Sequence, residues 1–335
     1  MLRSFAVALG LALGVAGAEL ALRVLAPQER SWLEIYRADP APPFVSLAPG
    51  VAVTIETREG RWHVYTDARG RRVGRPPADA GGRPELLVLG DSFALGHGVE
   101  YEQSFPARAA DLLGFAAVDT GVPGYGPTQY REVLESLLAS GERPSAVVVS
   151  LFLGNDFTDC VSKPRLQVVD GTLVEGASAW LGWLVRNLHT ARLIGRVYQR
   201  LAASEDALFR DASWKRETLA RAYATFGEEL ARIAELCREA RIPVLAVVIP
   251  AKASLAPPAE PSASAPDLAL PARKAALALE TAGIAYVDLT EPLRALGPAD
   301  AYLARDGHLT PRGNEVAAEE IARALRVQLR EATSP

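Results

Sequence analysis

Five short apolar runs, at residues 86–89, 115–118, 147–151, 244–249 and 284–289, punctuate the chain and read as strands of a buried sheet. Helical spacing separates the later ones. From near Ser213, residues Leu219, Phe226, Leu230, Ile233 and Leu236 fall on one side of a helix that leads into the fourth run. Residues 274–282 form another helix before the fifth run. A last helix opens at Thr310-Pro311, an N-cap followed by proline at the first helical position, and continues through Val316, Ile321 and Leu325. Helix followed by buried strand is the βα unit. Its repetition predicts an α/β fold, a three-layer α/β/α sandwich with a parallel, flavodoxin-like sheet of about five strands. Such open sheets carry their sites beyond the carboxyl ends of the strands.

Composition narrows the function classes. With 335 residues, 49% of them hydrophobic and 23% charged, the chain buries one large core, or one core and a small appendage. A net charge of -4 without a long Lys/Arg run excludes the electrostatic footprint of a nucleic-acid binder. Arg69-Gly70-Arg71-Arg72 reads as a solvated turn. Cys160 and Cys237 have no paired spacing, so no zinc site or disulfide framework is expected, and the glycines match neither a dinucleotide fingerprint nor a phosphate loop. No cofactor or metal is expected.

The chain divides into residues 1–26, a linker and accessory hairpin over 27–84, and a main domain over 85–330 with a helical insertion at about 157–212. Residues 4–18 are uncharged after Arg3. A cleavable secretory signal ending at Ala16-Gly17-Ala18 and a single transmembrane anchor ended by Pro27 both fit, and the anchor is favoured. Either way the main domain is extracytoplasmic, periplasmic or at the cell surface. Glu19 and Arg23, one turn apart, are placed to pair. Runs at 51–57 and 62–65 alternate polar and apolar residues and read as a hairpin flap carrying an exposed His63. In the insertion, Leu184, Leu188, Ala191, Ile194, Val197 and Leu201 recur at helical spacing after Trp180 and Trp183. That stripe packs on the core or walls the site, the former being the default; His189 on the same helix is read as a surface residue.

Four segments carry the chemistry. Gly90-Asp91-Ser92-Phe93 ends the first apolar run, so Ser92 lies where a strand turns into a helix, beside the first free N–H groups of that helix. Gly121-Val122-Pro123-Gly124-Tyr125-Gly126 follows the second run, Leu153-Gly154-Asn155-Asp156 the third, and Asp306-Gly307-His308 precedes the last helix. Singly, these are turn glycines and a helix cap. Asp156 and Asp159 are acids of the kind glycosidases pair, with no fixed separation. In this order and together, the four segments resemble the SGNH/GDSL hydrolase superfamily, over most of the chain from residue 85 onward.

The resemblance implies that Ser92 is a nucleophile, His308 its general base and Asp306 the acid that orients the imidazole. It assigns the oxyanion donors to the backbone N–H groups of Ser92 and Gly124 and the side-chain amide of Asn155. Two features depart from the commonest pattern. The carboxylate lies two residues before His308 and not three, where Arg305 stands, a spacing shared with some exported, polysaccharide-acetylating members. Asp119 occupies part of the segment where the family favours Asn, and is assigned no role. The expected activity is hydrolysis of an ester through an acyl-serine, with an ester-bearing small molecule or acylated cell-envelope or extracellular glycan as partner. The alternatives are an O-acyltransferase working with a multi-span membrane protein and an inactive glycan-binding module. The Gly-x-Ser-x-Gly elbow of the α/β-hydrolases is absent around Ser92.

Overall fold

The computed structural model describes residues 2–27, 34–57, 59–75, 81–162, 167–169, 171–174, 183–184, 187–202, 216–256 and 267–333. Trp180, Ser213 and residues 257–266 lie outside these. The chain forms two compact units, one of Met1–Tyr36 with Arg165–Ser204, the other of Arg37–Pro164 with Glu205–Pro335. The expected boundaries at 26, 84 and 157–212 differ from this division.

The larger unit is built on an eight-stranded sheet. Its strands are β1 (Ala52–Thr57), β2 (Gly60–Thr66), β3 (Arg72–Val73), β4 (Glu85–Leu89), β5 (Ala116–Asp119), β6 (Ala146–Phe152), β7 (Val244–Ile249) and β8 (Ala285–Asp288). They lie in the order β8-β7-β6-β4-β5-β3-β2-β1. The five strands from β4 to β8 are parallel, as expected. Winding begins at β4, steps to β5, then crosses back to β6 and proceeds outward. The strand order therefore reverses between β4 and β6, and a crevice opens beyond the carboxyl ends of those two strands.

The sheet exceeds the expected five strands because β1, β2 and β3 join it in antiparallel pairing, through Arg72 opposite Asp119 on β5. The hairpin read as a flap is thus part of the main sheet. Its alternation marks strands near a sheet edge, with one face wet.

Strands β4, β6 and β7 are buried at nearly every position because helices cover both faces. On one side, Leu86, Val88, Val148 and Val247 pack against helices α3 (Phe105–Leu113), α9 (Thr290–Leu296) and α10 (Pro311–Thr333), through Phe105, Leu293, Ile321 and Leu325. On the other, α4 (Pro127–Ala139), α5 (Asp156–Ser162), α7 (Arg216–Ala240) and α8 (Leu270–Ala282) pack together around Tyr130, Phe157, Phe226 and Ile233. The Phe157 and Phe226 rings lie 4.3 Å apart. Each such side chain contributes roughly 1.5–3 kcal/mol of burial. Cys160 and Cys237 are both free thiols.

Arg72 corrects the reading of its cluster as a solvated turn. It is 1% exposed. Nη1 donates to the carbonyls of Leu95 and Gly96, and Nη2 to those of His63 at 3.0 Å and Val99 at 2.7 Å. The guanidinium suits this task because it presents fixed, planar donors and cannot be deprotonated. It ties β2 to residues 95–99, the loop after α2 (Ser92–Leu95).

In the smaller unit, α1 (Leu2–Leu25) and α6 (His189–Ala202) meet at Glu19. Its carboxylate accepts the N–H groups of His189 and Thr190, both at 2.9 Å, and the Thr190 hydroxyl at 2.8 Å, while pairing with Arg23. An anion at a helix N-terminus satisfies free donors and the helix dipole together. On α6, Ile194 and Val197 are exposed. Among the described residues, no helix is long and apolar enough to cross a membrane.

Removing the Arg72 guanidinium would leave four carbonyls without their buried donor and take a nearby positive charge from Asp119. Arg72→Met is expected to lower unfolding stability by about 3–5 kcal/mol in chemical denaturation. A change below about 1 kcal/mol would show that water replaces the lost donors.

Candidate active site

Strand β4 stops at Leu89, and the chain turns through Gly90 and Asp91 into α2. Asp91 caps that helix by accepting the Phe93 N–H at 2.8 Å, which makes Ser92 the first helical residue. The turn is tight against the neighbouring loop. A Cβ on Gly121 would lie 2.3 Å from the Leu95 backbone nitrogen, so only glycine fits there. The buried Asp119 shapes the same loop by accepting the Gly121 N–H at 2.9 Å, and burial pushes its carboxyl up to about 7 despite that bond and the Arg72 charge. Asp119 does not line the cleft around Ser92.

His308 arrives from the loop before α10. A Tyr302–Leu309 bridge and the Leu303 N–H donating to the His308 carbonyl at 2.8 Å close that loop. Gly307, at φ +84°, supplies the left-handed turn that brings Asp306 back over the His308 ring. The structure therefore joins three of the expected residues. His308 Nε2 lies 2.7 Å from Ser92 Oγ, and His308 Nδ1 is hydrogen-bonded to Asp306 Oδ1.

Electrostatics fix the direction of these bonds. Burial lowers the His308 pKa below its usual 6.5, against the opposing pull of the Asp306 hydrogen bond. Loss of hydration alone would raise the Asp306 pKa, but hydrogen bonds and charge from His308 and His97 hold it well below the usual carboxylate range. Near neutral pH, Asp306 is thus ionised and accepts the Nδ1–H, while Nε2 accepts the Ser92 hydroxyl proton.

These groups face a cleft of about 530 Å³ lined also by Phe93, Phe152, Asn155, Lys252 and Arg305. Phe93 packs on both the His308 ring, at 4.6 Å, and Phe152, at 4.2 Å. Asn155, beyond β6, donates one amide N–H to Asp159 at 3.0 Å. Only the nitrogen end of an amide can face a carboxylate, so this contact sets the orientation of Asn155. Gly124, at φ +90°, is not among the residues lining the cleft. His63 contacts Glu100 at 2.9 Å, and the His189 N–H is used in capping by Glu19.

Sequence reasoning passed over His97. Its Nε2 lies 3.5 Å from Asp306 Oδ2, and its ring lies 4.5 Å from that of His308. Its sequence signal is slight, an imidazole between Gly96 and Gly98 just after the serine-bearing helix. His97, Asp306 and His308 offer ligand atoms within 4.8 Å of one another, a donor set a divalent metal accepts. Those side chains already serve one another and Ser92.

A family model described as an SGNH hydrolase-like domain of acetyltransferase AlgX matches residues 201–335, the part that carries Asp306 and His308. Over those residues the chain is similar to the SGNH hydrolases. Its fold and this match support a hydrolase or acyltransferase of the SGNH type. No curated protein matches it significantly. Similar solved structures include the lipase/acylhydrolase from Enterococcus faecalis, 16% identical over 73% of this chain and 96% of that one at a TM-score of 0.42. TesA is 17% identical over 72% and 98% at 0.45. A member of the lipolytic protein G-D-S-L family from Veillonella parvula is 15% identical over 73% and 98% at 0.40.

An NMR titration should place the His308 midpoint below 6.5. Asp306→Asn should lower it further, since the carboxylate is what favours the imidazolium. A midpoint at or above 6.5 would contradict the desolvated ring.

Proposed function

We propose that this protein is a serine esterase that works through an acyl-Ser92 intermediate. The observation that carries the reading is the 2.7 Å contact between Ser92 Oγ and His308 Nε2, with Asp306 on the far side of the ring. Ser92 Oγ attacks the ester carbonyl carbon as its proton passes to Nε2, and the carbonyl electron pair becomes an oxyanion. Collapse breaks the bond to the leaving alcohol, which takes the proton from His308. Water then attacks the acyl-serine by the same route in reverse, releasing a carboxylic acid and restoring Ser92. Asp306 stays ionised throughout and stabilises the imidazolium.

Two oxyanion donors are supported by position, the Asn155 amide in the cleft wall and the Ser92 N–H at the start of α2. The Gly124 N–H remains a proposal carried by family resemblance. Short acyl groups, such as acetyl esters on a cell-envelope or extracellular glycan, are the proposed substrates. Extracytoplasmic placement is part of the proposal, supported by the uncharged stretch over residues 4–18 after Arg3.

One observation favours a second reading, acyl transfer to a sugar hydroxyl. The matching family model is described by an acetyltransferase. In that case a glycan hydroxyl replaces water in the second step, and a membrane partner supplies the acyl group.

A fluorophosphonate probe should label the wild-type protein and spare Ser92→Ala and His308→Ala, which should also lose hydrolysis of a short-chain acyl ester. Labelling that survives Ser92→Ala would sink the proposal, and an unlabelled wild type would point to a binding module. Asn155→Ala should lower kcat by about 10²–10³-fold. Assays with an acetyl ester, with and without oligosaccharide, separate the readings through the product, free acetate or acetylated glycan.

A further inference from the structure

Asp306 sits in an unusual position for an orienting acid. It lies two residues before its histidine, in a stretch where Ala304, Arg305 and Asp306 are exposed. A carboxylate held through one oxygen on such a loop is free to rotate and exchange its partner for water, at the entropic cost of any ordered side chain. Two contacts from other parts of the chain restrain it. Glu59 accepts the backbone N–H groups of Arg305 and Asp306. His97 meets the second carboxylate oxygen, Oδ2, at 3.5 Å, while Oδ1 serves His308.

His97 is itself held on several sides. Its backbone N–H donates to the Ser92 carbonyl at 2.9 Å, tying it to the helix that bears the nucleophile. Its ring meets the buried Trp62 edge-on at 4.8 Å and lies against His308 at 4.5 Å. Arg72 binds the carbonyls of Leu95, Gly96 and Val99, on both sides of it. An imidazole kept only for packing has no need to aim a nitrogen at the acid of the site.

We propose that His97 is a positioning residue that holds the outer oxygen of Asp306, so that the inner oxygen stays on His308 Nδ1. It acts through Asp306 and takes no proton from Ser92. This rests on the serine-hydrolase reading of Ser92 and His308, and it gives the short Asp-x-His spacing a physical support.

The test is a double-mutant cycle on the full chain, assayed with a short-chain acyl ester in the presence of a chelator. His97→Phe keeps an aromatic ring beside Trp62 but removes the nitrogen. It should lower kcat about tenfold with KM within about twofold, whereas His97→Gln, which retains an N–H donor, should recover activity to within about threefold of wild type. In an Asp306→Asn background, His97→Phe should have little further effect, because the contact it removes is already gone. Wild-type kcat in His97→Phe, or the same tenfold loss in both backgrounds, overturns the proposal. A second measurement leaves position 97 unaltered. The His97 ring resonances should shift on Asp306→Asn, and their failure to move overturns it as well. Labelling that survives Ser92→Ala is the separate sign that the underlying hydrolase reading has failed, and it removes this proposal with it.

Discussion

Strand β4 pairs in parallel with β5 on one side and β6 on the other, and this branching of the winding fixes where the rest of the molecule must go. Connections leaving the two central strands head in opposite directions, so no backbone fills the space beyond their ends. Ser92 follows β4 and Asn155 follows β6, which puts them on opposite banks of the same opening. Covering helices make the floor rigid, since Leu86, Val88 and Val148 are buried within one closely packed layer. Ser92 thus follows a strand buried in that closely packed layer.

His308 and Asp306 arrive on a loop, and loops are softer than strands. The geometry compensates through bonds that cross from distant parts of the chain. Phe93 supports the face of the imidazole, Glu59 takes the backbone N–H of Asp306, and His97 faces its free oxygen. Two of these supports depend on the antiparallel extension of the sheet. Glu59 sits at its β1–β2 turn, and Trp62 of β2 backs His97. What looks peripheral in topology is therefore adjacent to the chemistry.

The parallel strands were legible because burial on both faces leaves uninterrupted apolar runs, as in residues 244–249. Ser92, Asn155 and His308 were legible because each stands at a punctuation point, where strand gives way to helix or loop to helix. The incorporation of β1, β2 and β3 was not, since pairing between β3 and β5 joins residues far apart and leaves no local periodicity. Arg72 misled for a related reason. Three arginines of one cluster read alike until the carbonyls around one of them are known. His97 left almost no trace, because its partner lies more than two hundred residues further along the chain.

Serine and histidine stand 216 positions apart, and the imidazole is held only when the final helix docks on α3, where Asn314 accepts the Phe105 N–H at 3.0 Å. A chain whose final helix has not docked therefore carries Ser92 without an imidazole beside it. On the esterase reading, the hydroxyl is activated only once both parts of the chain have met, which makes probe labelling a report on complete assembly.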